Sequence, residues 1–233
     1  MVPKEKSLYI ELSVINLINL LRKMIMNHDK TYKVLPGTQM GMVSTDFLEQ
    51  VTKIARKHTI PLIKITSAQR LAFCGFSPDS AEEIWHDMGL ENIPQKPAGI
   101  HYIQACPGII WCKYGCQDSL ALGDQLKEAF MDLTLPAKTK IGVSGCSMNC
   151  CESYVRDIGV FGKKKGWTLV FGGNGGGLPR IGDIIAEELT DRQVIELAGR
   201  CLRYYKKHAR KKERTARLME RTPLEIFKEA IGY

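Results

Sequence analysis

At 233 residues and 44% apolar content, the chain can bury one ordinary core or two small subdomains, which sets it apart from a disordered polymer. No run of about 18 uncharged apolar residues occurs, which argues against a membrane span. The formal net charge of +8 suits acidic cofactors, acidic protein partners or nucleic acid. No zinc-finger, RNP or helix-turn-helix signature accompanies it, so nucleic acid is not expected as a partner.

In chain order, Leu8 to Met26 has apolar residues at helical spacing, interrupted by Glu11, Asn16, Asn19, Arg22 and Lys23. It reads as an amphipathic helix, not as a secretory signal, and the chain is expected to be cytoplasmic. Leu35-Pro36-Gly37 breaks the chain; Ser44, Thr45 or Asp46 can then cap a helix through about His58. After Pro61, Leu62 to Thr66 predicts a short β-branched strand, and Ser80 to about Met88 a further helix. Pro94 and Pro97, within Glu91 to Gly99, place a subdomain boundary that divides the chain into 1–96 and 97–233.

The second part alternates. A strand (His101 to Ala105), a cysteine loop, a helix (about Ser119 to Met131), a strand (Lys140 to Val143) and a second cysteine loop follow one another. Strands over Ile158 to Phe161 and Trp167 to Phe171 lead to a glycine-rich loop, Gly172 to Gly177. Helices are expected to close the chain. Much of the positive excess falls between Arg200 and Arg221, including Arg203, Lys206, Lys207, Arg210, Lys211 and Lys212.

Eight cysteines in a short secreted chain would suggest a disulfide scaffold. Here they bunch around two loops, which points to a metal site. Cys106 and Cys112 form a C-x5-C pair, and Cys146 and Cys150 a C-x3-C pair. Each pair directly follows a predicted strand, so both loops would leave one sheet edge and four thiolates could converge. Such a set suits an iron–sulfur cube or a tetrahedral zinc, and the five-residue gap favours the larger cluster. Cys74 and Cys201 read as buried apolar thiols. Cys116 and Cys151 lie close enough to stand in for a ligand.

Several motifs then occur in one order: Cys106-Pro107-Gly108, Cys112-Lys113, Leu135-Pro136, Lys138-Thr139-Lys140, Ser144-Gly145-Cys146, Cys150, Asp157-Ile158-Gly159 and Gly172-Gly173-Asn174. Together they resemble the siroheme and 4Fe–4S half of sulfite and nitrite reductases. Upstream, Leu35-Pro36-Gly37 and Ile63 to Gln69 resemble the small segment that precedes that module. The resemblance implies an α+β fold, in which a ferredoxin-like α+β segment is followed by a mixed α/β siroheme/4Fe–4S-binding module. It assigns Cys106, Cys112, Cys146 and Cys150 to the cluster, with Cys150 also bonding the siroheme iron. It further implies six-electron reduction of a small oxyanion, sulfite or nitrite, with electrons from a ferredoxin-like protein donor.

Siroheme is a polyanion, and a buried polyanion needs cations and amide donors. Lys64, Arg70, Lys113 and Arg180 are the candidates, together with the backbone of Gly172, Gly173 and Asn174. A dinucleotide fingerprint is a poor match for that loop, because Pro179 follows where a helix should open. Lys138 and Lys140 share one face of a strand, and the resemblance turns both toward the oxyanion; on their own they equally describe a protected edge strand. The basic helix from Arg200 offers a docking face for the donor. Two features depart from the family: Val34 and Ala68 stand where it usually has arginines, and the length holds one repeat instead of two. The first leaves room for a non-catalytic siroheme electron carrier or redox sensor. The second predicts a homo-oligomer.

Overall fold

The computed structural model describes residues 31–90 and 97–233; the expected helix over 8–26 and most of the expected boundary, 91–96, lie outside those residues. The chain divides into two compact units, 1–94 and 95–233.

In the first unit, β1 (Tyr32–Val34), β2 (Leu62–Ile65) and β3 (Leu71–Cys74) form an antiparallel sheet in the order β1-β3-β2. Helix α1 (Thr45–Lys57) starts where the Ser44 hydroxyl accepts the Phe47 N–H at 3.1 Å, satisfying one otherwise orphaned donor. Val51 and Ile54 of α1 pack with Leu35, Phe73 and, from α2 (Ala81–Asp87), Ile84. Lys57 and His58 both reach Asp87, at 2.7 and 2.5 Å, and tie the two helices.

The second unit is built on a five-stranded sheet: β4 (Ile100–Ala105), β5 (Thr139–Ser144), β6 (Ile158–Lys163), β7 (Gly166–Phe171) and β8 (Asp183–Leu189), in that spatial order. The first three strands are parallel and the last two pairings antiparallel. Short helix α3 (Gly108–Trp111) follows β4, and α4 (Ser119–Phe130), capped by Asp118, returns the chain to β5. The long α5 (Asp191–His208) begins in a Thr190/Gln193 capping box and packs on α4, β7 and β8. Helices α6 (Thr215–Glu220) and α7 (Leu224–Ala230) complete the chain. Leu122, Leu126, Val194, Leu197 and Leu202 bury one apolar face of α4 and α5.

Strand β8 departs from the expectation that only helices follow the glycine-rich loop. Its sequence, with Ala186, Glu187 and Glu188, carries no strand alternation; pairing with β7 makes it a strand, with register shifts at Trp167/Leu169 and Leu169/Val170.

Between β5 and β6 the connection contains no α-helix. Residues 145–157, with one 3-10 turn at Ser153–Val155, cross the sheet instead. That crossing lies flush on the strands because two paired residues, Gly142 and Gly159, lack side chains. A Cβ on Gly142 would meet the Cys151 carbonyl oxygen at 2.6 Å, and one on Gly159 the Ser153 carbonyl oxygen at 1.9 Å.

Candidate iron–sulfur and oxyanion site

Parallel β4 and β5 end side by side, so Cys106 and Cys146 leave the same sheet edge. The two loops are then tied together: the N–H groups of Cys116 and Gln117 both donate to the Gly145 carbonyl, at 2.8 and 3.0 Å. All eight cysteines are free thiols. Cys106 is buried and receives the Gly145 N–H at 3.0 Å. A hydrogen bond from the Cys151 thiol above all, helped by the N–H of Gly145 and the Ser119 hydroxyl, pulls its pKa down to about 5, so it is poised as a thiolate ligand. The Cys150 thiol is pushed up by burial and then by the charges of Cys106, Cys146 and Cys112.

Among the described residues, the ligand-type group of three or more with all atoms within 4.8 Å of one another is His58, Glu83 and Asp87, so no three of the cysteine sulfurs come that close. A tetrahedral zinc with Zn–S bonds of about 2.3 Å would hold its sulfurs about 3.8 Å apart. Four free thiols on two loops that leave one sheet edge are the donor chemistry an iron–sulfur cube takes. The histidine cluster, by contrast, already holds a cation, since the Lys57 ammonium sits 2.7 Å from Asp87 and 3.5 Å from Glu83.

Cys150 opens the crossing segment. Left-handed residues on either side, Asn149 at φ 56° and Glu152 at φ 57°, turn the chain sharply back over the sheet. The Asn149 side chain accepts the Ser153 N–H at 2.8 Å, and the Cys151 N–H donates to the Ser144 hydroxyl at 3.0 Å. The Cys151 carbonyl rests over Gly142, two residues along β5 from Lys140, while the Cys151 N–H stays at Ser144, where the strand ends.

Lys140, Gly142 and Ser144 alternate onto the crossed face, whereas Lys138, expected on the same strand face, is exposed and lies one residue before β5 begins. The Lys140 ammonium lies 5.7 Å from the centre of the Tyr102 ring. Burial, then Arg214 and Arg156, lower its pKa from the ordinary lysine value. Arg156 donates to the Tyr102 hydroxyl at 3.0 Å and to the Cys151 carbonyl at 3.3 Å, linking the Cys150 loop to the floor beneath Lys140. Asp157, 1% exposed, is the hub of this end. It accepts the Lys140 N–H at 2.8 Å, the Thr215 hydroxyl at 2.6 Å and two Arg214 nitrogens at 3.1 and 2.5 Å.

The glycine-rich loop lies at the same end, with the Gly172 N–H on the Asp157 carbonyl at 2.9 Å. Asn174 pairs through its backbone with Arg180. The Arg180 guanidinium is engaged within its own loop, by the Gly172 carbonyl at 3.0 Å and Asp183 at 2.7 Å. Lys113 sits on the first cysteine loop, its ammonium 4.8 Å from the centre of the Tyr114 ring. Lys64 and Arg70 belong to the first unit, on β2 and in the turn before β3. Tyr102, Arg156 and Asp157 are the polar residues that sequence reasoning left without a role. The one available signal was the Asp157-Ile158-Gly159 motif.

A sheet edge with paired cysteine loops, and a face that carries Lys140, Arg156 and Arg214 beside it, defines an iron–sulfur oxidoreductase module. The profile of the nitrite and sulphite reductase 4Fe–4S domain matches residues 96–233, and that of the nitrite/sulfite reductase ferredoxin-like half domain matches residues 26–90. The chain belongs to the nitrite and sulfite reductase family, whose members pair a 4Fe–4S cluster with siroheme. It is 41% identical over 208 residues to the assimilatory-type sulfite reductase of Nitratidesulfovibrio vulgaris, covering 89% of this chain and 95% of that protein. It is 36% identical over 196 residues to the NAD(P)H nitrite reductase of Bacillus subtilis, covering 84% of this chain but 24% of that protein. Dissimilatory sulfite reductase I superposes with a TM-score of 0.71 at 15% identity, over 86% of this chain and 68% of that one. The NirA protein of Mycobacterium tuberculosis gives 0.69 at 19%, over 86% and 41%. At such identities these two show the shared fold.

Proposed function

We propose that the chain reduces sulfite or nitrite by six electrons, with Cys106, Cys112, Cys146 and Cys150 holding the cluster and Cys150 also meeting the siroheme iron. The observation that carries this reading is the run of the chain just after Cys150: the Cys151 carbonyl rests over Gly142 of β5, on the strand face that also carries Lys140. When bound, the two iron centres would supply single electrons to an iron-ligated oxyanion.

The chain's own residues supply charge and protons. The ammonium groups of Lys138 and Lys140 offset the negative charge that grows as S–O or N–O bonds break. Lys140, with its lowered pKa, gives up a proton more readily than an exposed lysine. The basic run adjoins this end of the sheet, where the Lys212 N–H donates to the Pro136 carbonyl at 3.1 Å, and its field draws small anions inward. The Gly173 N–H, with Lys64, Arg70, Lys113 and Arg180, is proposed to meet the siroheme carboxylates; the N–H groups of Gly172 and Asn174 are taken by the carbonyls of Asp157 and Arg180. A ferredoxin-like donor is proposed because no flavin or nicotinamide motif was found in the sequence. A homo-oligomer is supported by β1 and β2, which are both edge strands of a three-stranded sheet.

A second reading, a siroheme electron carrier or sensor, is favoured by Val34 and Ala68 in place of the family's arginines. One relative, 22% identical over 204 residues, is an assimilatory nitrate reductase electron transfer subunit of Bacillus subtilis. Anaerobic reconstitution with iron, sulfide and siroheme, followed by assay of both anions with reduced methyl viologen, separates the two. Turnover of either anion is expected; a fully loaded protein that reduces neither would leave the carrier.

A further inference from the structure

Among the described residues, the most exposed run of large apolar side chains sits on a cysteine loop. Ile109, Ile110 and Trp111 are consecutive and 50%, 58% and 78% exposed, and Tyr114 just beyond is 60% exposed. Consecutive bulky apolar residues in water lower solubility, and they persist where something covers them. These four lie between or next to Cys106 and Cys112. A partner seated on them approaches the ligand sulfurs more closely than at any distant patch, and electron tunnelling falls off exponentially with distance.

The rim beside them is cationic. The Ile109 N–H donates to the Gln117 carbonyl at 2.9 Å, and the Gln117 side chain donates to the Lys163 carbonyl at 2.8 Å. The patch therefore adjoins the β6–β7 turn with its three lysines. Lys163 pairs with Glu187 and Lys165 with Glu188, whereas Lys164 is exposed and has no ion pair among the described residues.

The rival surface is the basic end of α5, where Arg200, Arg203, Tyr204, Lys207 and His208 line a cleft of about 360 Å³. Topology places it far from the cysteines. Ser144 pairs with Phe161, Gly162 with Trp167, and Trp167 with Leu189, so β8 ends at the cysteine edge and α5 starts there. Its 18 residues then run about 27 Å away.

We propose that the Ile109–Ile110–Trp111–Tyr114 surface, with Lys164 at its rim, docks the electron donor, a small redox protein with an apolar contact centre and an acidic margin. This rests on the reductase reading above. Each encounter oxidises the donor by one electron and reduces the holoprotein by one. Apolar anchors supply most of the affinity, and Lys164 raises the encounter rate.

The test uses the loaded protein and an acidic 2[4Fe–4S] ferredoxin as probe, with Trp111→Gln and Lys164→Glu as variants. Binding of oxidised ferredoxin is measured by calorimetry at low and moderate salt, iron content by elemental analysis, and turnover with ferredoxin against methyl viologen. Trp111→Gln is expected to weaken binding about tenfold or more, and Lys164→Glu to weaken it mainly at low salt. Iron content and viologen turnover should stay at the parent level. If Trp111→Gln loads poorly, Ile110→Ser provides the same comparison. Undiminished ferredoxin binding in the loaded variants overturns the proposal. So does a parent dimer that Trp111→Gln dissociates in sedimentation, since a second copy would then be the cover. A parent protein inactive with viologen removes the reductase reading, while the binding comparison still decides the docking site.

Discussion

Replacing Asp157 by Asn tests how the anion end is held. The carboxylate takes four hydrogen bonds, from Arg214 Nε and Thr215 Oγ1 on one oxygen and from Arg214 Nη2 and the Lys140 N–H on the other. An amide keeps one oxygen, so whichever way it turns, two of the bonds are lost and an NH2 group faces donors. One lost bond is to a charged group, worth about 1.5–3 kcal/mol, and the other leaves a donor unsatisfied at about 1–3 kcal/mol. Arg214 is 29% exposed and recovers part of this from water, so the net loss comes to about 3 kcal/mol. Urea unfolding of the loaded protein, with parent and variant slopes compared, measures it. Asp183→Asn is the control: its ion pair with Arg180 is itself partly exposed and should cost about 1 kcal/mol or less. Because Asp157 also fixes the start of β5, Asp157→Asn should raise KM for the anion. A loss below about 1 kcal/mol, or one no larger than that of Asp183→Asn, would refute the hub assignment.

Cys150→Ser should abolish the normal siroheme spectrum and lower iron content, read by absorption and elemental analysis; an unchanged spectrum would remove the bridging role. Lys138→Ala and Lys140→Ala should keep the colour but cut turnover by about 100-fold each, and full activity in both would reduce them to surface charges. Glu213 is held at about pKa 2, chiefly by Arg221 and then by the Arg210 N–H. A carboxylate with a folded pKa below its unfolded value stabilises the fold above about 4.5, and that contribution is lost as pH falls from there toward 2. Glu213→Gln should therefore flatten the pH dependence of the urea midpoint in that window and cost about 1 kcal/mol or less at pH 7, since Arg221 is 38% exposed.

What the sequence revealed was local chemistry. The Ser44 cap, the strands leading into each cysteine loop and the helix from Ser119 are set by neighbours a few residues apart, and each appears within a residue or two of its expected place. Strand β8 was hidden because Glu187 and Glu188 favour a helix locally, while its partner β7 lies across a long glycine-rich turn. Arg180 showed its charge but not its use, since its partners are a carbonyl and a carboxylate positioned by that turn's own fold. The basic run was equally plain by composition. Which edge of the sheet it adjoins depends on strand order and direction, which no local pattern encodes.

That directionality also explains how a single repeat can serve both halves of a redox site. A parallel β5–β6 pair forces the chain to travel from one sheet edge back to the other, and a helix in that connection would hold it about 10 Å off the sheet. The paired Gly142 and Gly159 admit bare backbone instead, so the return path lies against the strands at Cys151 and Ser153. Arg156 then fastens the end of that path to Tyr102, under Lys140. The same thirteen-residue connection that closes the sheet's topology thereby joins the second cysteine pair to Arg156 and Asp157. Glycine at those two positions is a requirement of the site as much as of the fold.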